Sequence, residues 1–356
     1  MDRSRFTGWG AFVEAPGFPV VAGPCSAESR EQVLSTASEL SRRGIRVFRA
    51  GAWKPRTRPG TFEGVGEAAL EWLVQAKDAT GMKVGTEAAS AYHVKAIISA
   101  GLDFIWVGAR TTANPFLVQE IADALEGADI PVFVKNPVNP DADLWAGAIE
   151  RFRKAGISRI AAVHRGVTSY SRIIYRNDPC WQMPITLRLR FPRLPMFCDP
   201  SHIAGDRRYV DEISRKAMDL DFDGLFIESH VNPACALSDA AQQITPEELS
   251  GLLLSLVPKE TDCDSPSYHE SIEQLRARID EIDDNIVSLL ADRMDVSGKI
   301  GGYKKENSVS VLQGSRWDAV MSRVLSRAEA YGLDKDFIKD IFDRIHRASI
   351  EKQENC

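Results

Sequence analysis

No apolar run in this 356-residue chain approaches the ~20 residues a membrane span needs. The opening "MDRSRFTGWGAFVEAP" also lacks the apolar stretch of a signal peptide. Cysteine is sparse and scattered: six residues, at 25, 180, 198, 235, 263 and 356, with no paired spacing. That distribution predicts reduced thiols and a cytoplasmic protein. Positive charge is in deficit, with 44 Lys and Arg against 50 Asp and Glu and a net charge of -6. A general nucleic-acid binder is therefore not expected. What remains is an ordinary globular composition, 44% hydrophobic and 26% charged, long enough for one to three domains.

Two textures divide the chain. Eight short runs rich in β-branched and aromatic residues lie at 20–23, 46–51, 83–88, 104–110, 132–137, 159–166, 196–202 and 224–230. Helical patterns such as "REQVLSTASELSRRG" and "PFLVQEIADALEG" separate most of them. Repeated strand–helix alternation predicts a (β/α)8 TIM barrel over residues 1–257. The sixth connection, about 167–194, is long and rich in Arg, Tyr and Pro, the usual mark of a functional loop. A linker is expected at 258–266, within "PKETDCDSPSYHE", and an all-α domain over 267–356. There Ile272, Leu275, Ile279, Ile282, Ile286 and Leu289 recur at spacings of 3 and 4, an amphipathic helix. Helical patterns follow at 313–330 and 335–353, with Gly332 as breaker and Asp334 as N-cap. Three helices with so long a first member enclose little core, so this domain is expected to pack against a second copy, giving at least a homodimer.

A barrel's chemistry lies at the C-terminal ends of its strands. Those ends carry Cys25, Arg49, Lys54, Glu87, Arg110, Lys135, His164, Arg165, Asp199, His202 and Glu228. Arg49, Lys54, Arg56, Arg110, Lys135 and Arg165 converge as cations on one mouth, which implies an anionic ligand with phosphates or carboxylates. Cys25, His202, Glu228 and Asp239 combine thiolate, imidazole and carboxylate, a set suited to a divalent transition metal rather than Mg or Ca.

The motifs "GPCS", "KPRT", "GAR", "VK", "HRG", "DPSH", "IESH" and "LSDAAQQI" follow one another in the order found in one family. Residues 20–257 resemble the synthases that condense phosphoenolpyruvate with an aldose phosphate: 3-deoxy-D-arabino-heptulosonate 7-phosphate (DAHP) synthase and its sister, 3-deoxy-D-manno-octulosonate 8-phosphate synthase. The resemblance implies that Cys25, His202, Glu228 and Asp239 hold Mn, Fe, Co or Zn as a Lewis acid. It places phosphoenolpyruvate on Arg49, Lys54, Arg110, Lys135 and Arg165. It places erythrose 4-phosphate on Lys54, Pro55, Arg56 and Thr57, and this "KPRT" form favours the DAHP enzyme over its sister. Lys54, Glu87, Lys135, His164 and Asp199 are the expected catalytic groups, with Glu87 and His164 as candidates for handling water and protons.

Residues from about 265 onward resemble the all-helical chorismate mutases, through "LRARIDEID", "LLADR" and "YKKEN". This second resemblance places chorismate or prephenate on Arg276, Arg293, Lys304, Arg316 and Gln353, with Arg276 reaching into a partner chain's site. Two positions depart from the family: Trp317 stands where an acidic residue is usual, and Gln313 where Asp is common. Gly298, Gly301 and Gly302 fall near the end of the first helix, where each glycine costs about 1 kcal/mol relative to alanine. The expected function is thus a bifunctional enzyme, with prephenate bound in the helical domain inhibiting condensation in the barrel. Two alternatives stand beside it: an octulosonate synthase barrel, and a DAHP synthase with a non-catalytic helical tail.

Overall fold

Eight parallel strands close on themselves in sequence order. They are β1 (Val20–Gly23), β2 (Val47–Arg49), β3 (Lys83–Glu87), β4 (Phe104–Val107), β5 (Val132–Lys135), β6 (Ile160–His164), β7 (Met196–Cys198) and β8 (Gly224–Glu228). Closure is made by β1, which sets Val21 beside Val47 on one side and beside Phe226 on the other. The computed structural model describes residues 3–12, 18–54, 60–169, 173–256, 265–312 and 314–354. The chain divides into two units, Met1–Thr261 and Asp262–Cys356.

The helices of the first unit are α1 (Arg30–Arg42), α2 (Ala68–Thr80), α3 (Ala91–Ser99), α4 (Ala109–Thr112), α5 (Pro115–Ala124), α6 (Ala142–Lys154), α7 (Gln182–Arg190), α8 (Pro200–Ala204), α9 (Val210–Asp219) and α10 (Pro246–Ser255). The strands are buried on both faces, which is why they read as near-continuous apolar runs. One core lies between strands and helices, around Phe48, Val84, Ile105, Val134, Trp145 and Leu225. A second fills the barrel interior with Phe104, Trp106, Phe133, Phe197 and Phe226. The N-terminal end of the barrel is stopped by residues 3–12. Phe6, Trp9 and Phe12 meet Phe197, Phe133 and Phe104 edge to face. Arg5 ties this plug down through Asp221 and Asp223 at 2.8 and 2.6 Å.

All strands but β1 stop before their apolar runs do, and in β4 and β7 the run goes on into a short helix. After Val107, Gly108 breaks the strand and Ala109 opens α4. After Cys198, Asp199 accepts a hydrogen bond from the His202 amide and caps α8, whose first residue is Pro200. Both breaks put chemistry-bearing residues on short helices above the barrel.

The second unit contains α11 (Pro266–Glu306), α12 (Gly314–Ala330) and α13 (Lys335–Glu354). At 41 residues α11 is roughly 60 Å long. Gly332 takes a φ of +69°, and Asp334 Oδ1 accepts from the Phe337 amide at 2.7 Å to cap α13. Gly301 has a packing reason: a Cβ there would lie 2.7 Å from Gln353 Cα, so glycine lets α13 cross α11 closely. Gly302 meets nothing within 4 Å, and no contact explains it. The stripe Leu275, Ile279, Ile282, Ile286 and Leu289 is 45–67% exposed on this chain.

Candidate functional site

The strands deliver their last residues to one end of the barrel. A cleft there is lined by Lys54, Glu87, Gly108, Ala109, Arg110, Lys135, Arg165, His202 and Asp239. Four of these are cations from four different strand ends, and together they make a receiver for an anion. Glu87 is buried against Trp106, whose Nε1 donates to its Oε2 at 3.1 Å. Gly108 is the glycine this arrangement requires, because a Cβ there would sit 2.2 Å from Glu87 Oε1. Lys135 Nζ donates to Asp199 Oδ2 at 2.7 Å, a pair buried beneath the cleft. Burial pushes the Asp199 carboxyl up, but His202 and Lys135 more than offset it and hold it well below the usual range. Burial lowers the pKa of Arg165 to about 10, with its guanidinium on Asn177 Oδ1 at 2.9 Å.

Beside the cations lies a set of donors. One ligand atom from each of Cys25, Glu228 and Asp239 lies within 4.8 Å of the others. Cys25 Sγ is 3.4 Å from Asp239 Oδ2 and accepts from Lys54 Nζ at 3.0 Å. Asp239 adopts the left-handed conformation, φ +49°, uncommon for a residue other than glycine. His202 completes the group less tightly, with Nε2 3.8 Å from Glu228 Oε1 and Nδ1 2.8 Å from Asp199 Oδ2. That Nδ1 contact lacks hydrogen-bond geometry, so the ring nitrogen is buried without a formal partner. Burial pushes the Cys25 thiol up to about 12. Burial also raises the Glu228 carboxyl, but His202 and Arg49 outweigh it and keep the pKa low. One sulfur, one imidazole and two carboxylates gathered at the floor and edge of the cleft fit a divalent transition metal.

Two expected site residues sit elsewhere than the sequence suggested. Arg49 does not line the cleft; it is 1% exposed, under Trp106 and Phe226. Its guanidinium donates to Glu228 Oε1 at 3.0 Å and to the Cys25 carbonyl at 3.1 Å, so it braces the donor set. His164 does not reach the cleft lining either. Its ring lies near Trp145, Trp181 and Phe222, and its Nε2 contacts the Pro179 carbonyl at 2.5 Å. Burial lowers its pKa to about 4. The His164 ring is thus fully buried, outside the residues that line the cleft. Pro55, Arg56 and Thr57 lie outside the described residues, as does Gln313.

In the helical unit, Arg293 Nη1 contacts Ser349 Oγ, and Lys304 Nζ donates to Gln353 Oε1 at 3.2 Å. Trp317 stacks on His346 with ring centroids 3.9 Å apart. His346, Ser349 and Gln353 share one face of α13 by their spacing of 3 and 4. Arg276 is exposed on α11, about 26 Å along the helix from Arg293. Arg316 is exposed on α12 beside Trp317. The structure therefore pairs Arg293 with Ser349 and Lys304 with Gln353, and it does not bring Arg276 to either pair within one chain. Sequence reading passed over Ser349, Arg176 and Gln242. The signals for them are the helical spacing on α13, the arginine-rich sixth connection and, for Gln242, the motif "LSDAAQQI".

Fold and cleft define a TIM-barrel protein with an anion-receiving, metal-compatible site at its strand ends, continued by a three-helix domain. The chain belongs to the DAHP synthetase I family, whose model matches residues 15–263, and it carries a chorismate mutase type II domain at residues 275–354. A phospho-2-dehydro-3-deoxyheptonate aldolase of Thermotoga maritima is 34% identical over 227 residues, covering 64% of this chain and 65% of that protein. A 2-dehydro-3-deoxyphosphooctonate aldolase of Bordetella petrii is 27% identical over 69% of this chain and 91% of its own length. The crystal structure of the Thermotoga maritima DAHP synthase superposes with a TM-score of 0.61 at 33% identity, covering 67% of each chain. The pair of domains is that of a bifunctional enzyme.

Proposed function

We propose that the barrel joins phosphoenolpyruvate to erythrose 4-phosphate to give DAHP, and that the helical domain converts chorismate to prephenate. The observation that carries the first half is the cleft, in which Lys54, Arg110, Lys135 and Arg165 converge next to the Cys25, His202, Glu228 and Asp239 donors. Those four residues would hold a Mn, Fe, Co or Zn ion, which would supply Lewis acidity toward the aldehyde. The cations neutralise the phosphate and carboxylate charges and hold both substrates within reach of one another. C3 of phosphoenolpyruvate bonds to the aldehyde carbon as the C2–C3 and aldehyde π bonds open, and the oxygen of water bonds to C2. One water proton ends on the aldehyde oxygen, the other leaves with phosphate as the C2–O bond to it breaks, and C2 becomes a ketone. Glu87 is the carboxylate within the cleft able to orient that water. Asp199 keeps the buried Lys135 ammonium paired and in place.

The second half rests on two pairs that span α11 and α13, Arg293 with Ser349 and Lys304 with Gln353. Chorismate rearranges without acid, base or nucleophile, so a site has only to hold the dicarboxylate folded and to stabilise charge on the breaking ether oxygen. The exposed apolar stripe of α11 supports a homodimer through this domain, in which Arg276 serves the partner's pocket. The same pocket is the proposed sensor through which prephenate restrains condensation. No helix among the described residues is long and apolar enough to cross a membrane, in keeping with the cytoplasmic location proposed here.

The test is one purified full-length chain assayed for both reactions. Chelator should abolish condensation, divalent transition metal should restore it, and the mutase reaction should persist throughout. Condensation at full rate in excess chelator would overturn the metal reading, and preference for arabinose 5-phosphate would select the octulosonate alternative. Prephenate inhibiting wild type and Arg293→Ala equally would remove the helical pocket as sensor.

A further inference from the structure

Neither Arg176 nor Gln242 is a candidate ligand, yet together they tie two candidate ligands to each other. Arg176 Nη1, from the connection between β6 and α7, donates to Asp239 Oδ1 at 2.9 Å and to Gln242 Oε1 at 2.8 Å. Gln242 Nε2 donates in turn to Glu228 Oε2 at 2.8 Å. The outer oxygen of each carboxylate is thereby occupied. The inner oxygens face the donor set: Asp239 Oδ2 lies 3.4 Å from Cys25 Sγ, and Glu228 Oε1, which also accepts from Arg49 Nη1, lies 3.8 Å from His202 Nε2.

The same short segment reaches the third ligand. The Arg176 amide donates to the Ala204 carbonyl at 3.1 Å, and the Asn177 side chain donates to the His202 carbonyl at 2.7 Å. Gly205 permits this approach, since a Cβ there would fall 2.2 Å from Arg176 Cβ. Asp239 is held in its left-handed conformation next to this network, and Gln242 is 1% exposed.

We propose that Arg176 and Gln242 are positioning residues that preset Glu228 and Asp239 to receive a divalent cation. The inference rests on the metal reading above. Coulomb's law alone argues the other way, because a guanidinium near a dication repels it. If Arg176 were only a counter-charge to Asp239, its removal would tighten metal binding. If it orients the carboxylates, removal loosens binding, as is general for groups that hydrogen-bond metal ligands.

The experiment titrates the metal-free full chain with Co2+, following the thiolate-to-cobalt absorption that Cys25 supplies, and with Mn2+ by competition. Wild type is compared with Arg176→Met, Arg176→Lys and Gln242→Leu. Both Kd values should rise about 10- to 100-fold in Arg176→Met and Gln242→Leu. Arg176→Lys keeps the charge but ends one bond short of the Nη1 that makes both contacts, and should group with Arg176→Met. Arg176 is nearly half exposed (45% for its side chain), so its variants should fold even if Gln242→Leu does not. Unchanged or tighter Kd in Arg176→Met, or wild-type Kd in Arg176→Lys, overturns the proposal while the metal reading stands. No saturable binding by wild type overturns the metal reading and the proposal with it.

Discussion

Gly301 and Gly302 are neighbours on α11, and the helix crossing separates their fates. A Cβ on Gly301 would lie 2.7 Å from Gln353 Cα and 2.8 Å from the Gln353 carbonyl oxygen, whereas one on Gly302 would meet nothing within 4 Å. Helix propensity favours alanine over glycine by about 1 kcal/mol at either position. For Gly302→Ala that gain stands alone, and the variant should be more stable by up to ~1 kcal/mol. For Gly301→Ala the obstacle is backbone, and α13 must retreat by roughly 0.7 Å to restore an ordinary 3.4 Å contact. Overpacking of this kind costs about 1–3 kcal/mol, so the net effect lies between neutral and about 2 kcal/mol destabilising. The retreat carries Gln353 and Ser349 away from Lys304 and Arg293. Misplacement of binding groups by ~1 Å can lower turnover about 10²-fold. Denaturant midpoints and the loss of chorismate absorbance measure the two consequences separately. If Gly301→Ala matched Gly302→Ala in stability and turned over chorismate at the wild-type rate, the close crossing would not be what holds Gln353 at Lys304.

Other perturbations probe the barrel. Arg49→Met leaves Glu228 buried without its cation and should lower the unfolding free energy by about 3–5 kcal/mol in urea; a loss under ~1 kcal/mol would show that Gln242 and His202 suffice. Gly108→Ala drives a methyl group into Glu87, so condensation kcat should fall about 10²-fold; an unchanged kcat would remove Glu87 from the reaction. The pKa of His164 is lowered from 6.5 to about 4 in the folded state, so its contribution to stability is complete above pH 6.5 and lost as pH falls toward 4. The loss is on the order of 3 kcal/mol. Glu228 and Asp199, held below their ordinary 4.5 and 3.8, add a further loss below those values. Unfolding free energies flat between about pH 7 and pH 4 would contradict this burial.

Much of the barrel was legible because its strands are buried on both faces and its helices on one. Apolar runs bounded by Gly, Pro and charge therefore marked each βα unit. Positions at strand ends were legible for the same reason, since a charged residue that closes an apolar run marks where the strand stops. Direction was not legible. Arg49 and His164 both end a strand, yet Arg49 turns beneath the cleft to brace Glu228 and His164 turns among tryptophans. Which way such a side chain points depends on partners far along the chain, and spacing within a strand does not encode them. Arg176 was hidden for a related reason, because its partner Asp239 lies 63 residues away. In the helical unit, period and caps located α11 to α13, whereas the encounter of Lys304 with Gln353 depends on a crossing that Gly301 permits.

The aromatic stopper at residues 3–12 has a consequence for timing. Arg5 is bonded to Asp221 and Asp223, which are 216 and 218 residues further along the chain. During synthesis at about 5–20 residues per second, those partners follow by roughly 10–40 seconds. Within that interval Phe12 and Trp9 wait for Phe104 on β4 and Phe133 on β5, and Phe6 waits longest, for Phe197 on β7. The ribosome therefore exposes three rings well before the surfaces they join are made. Shielding them until β7 and β8 arrive becomes a task for the cell's folding machinery, and a polar replacement at Trp9 would trade final stability for an easier birth.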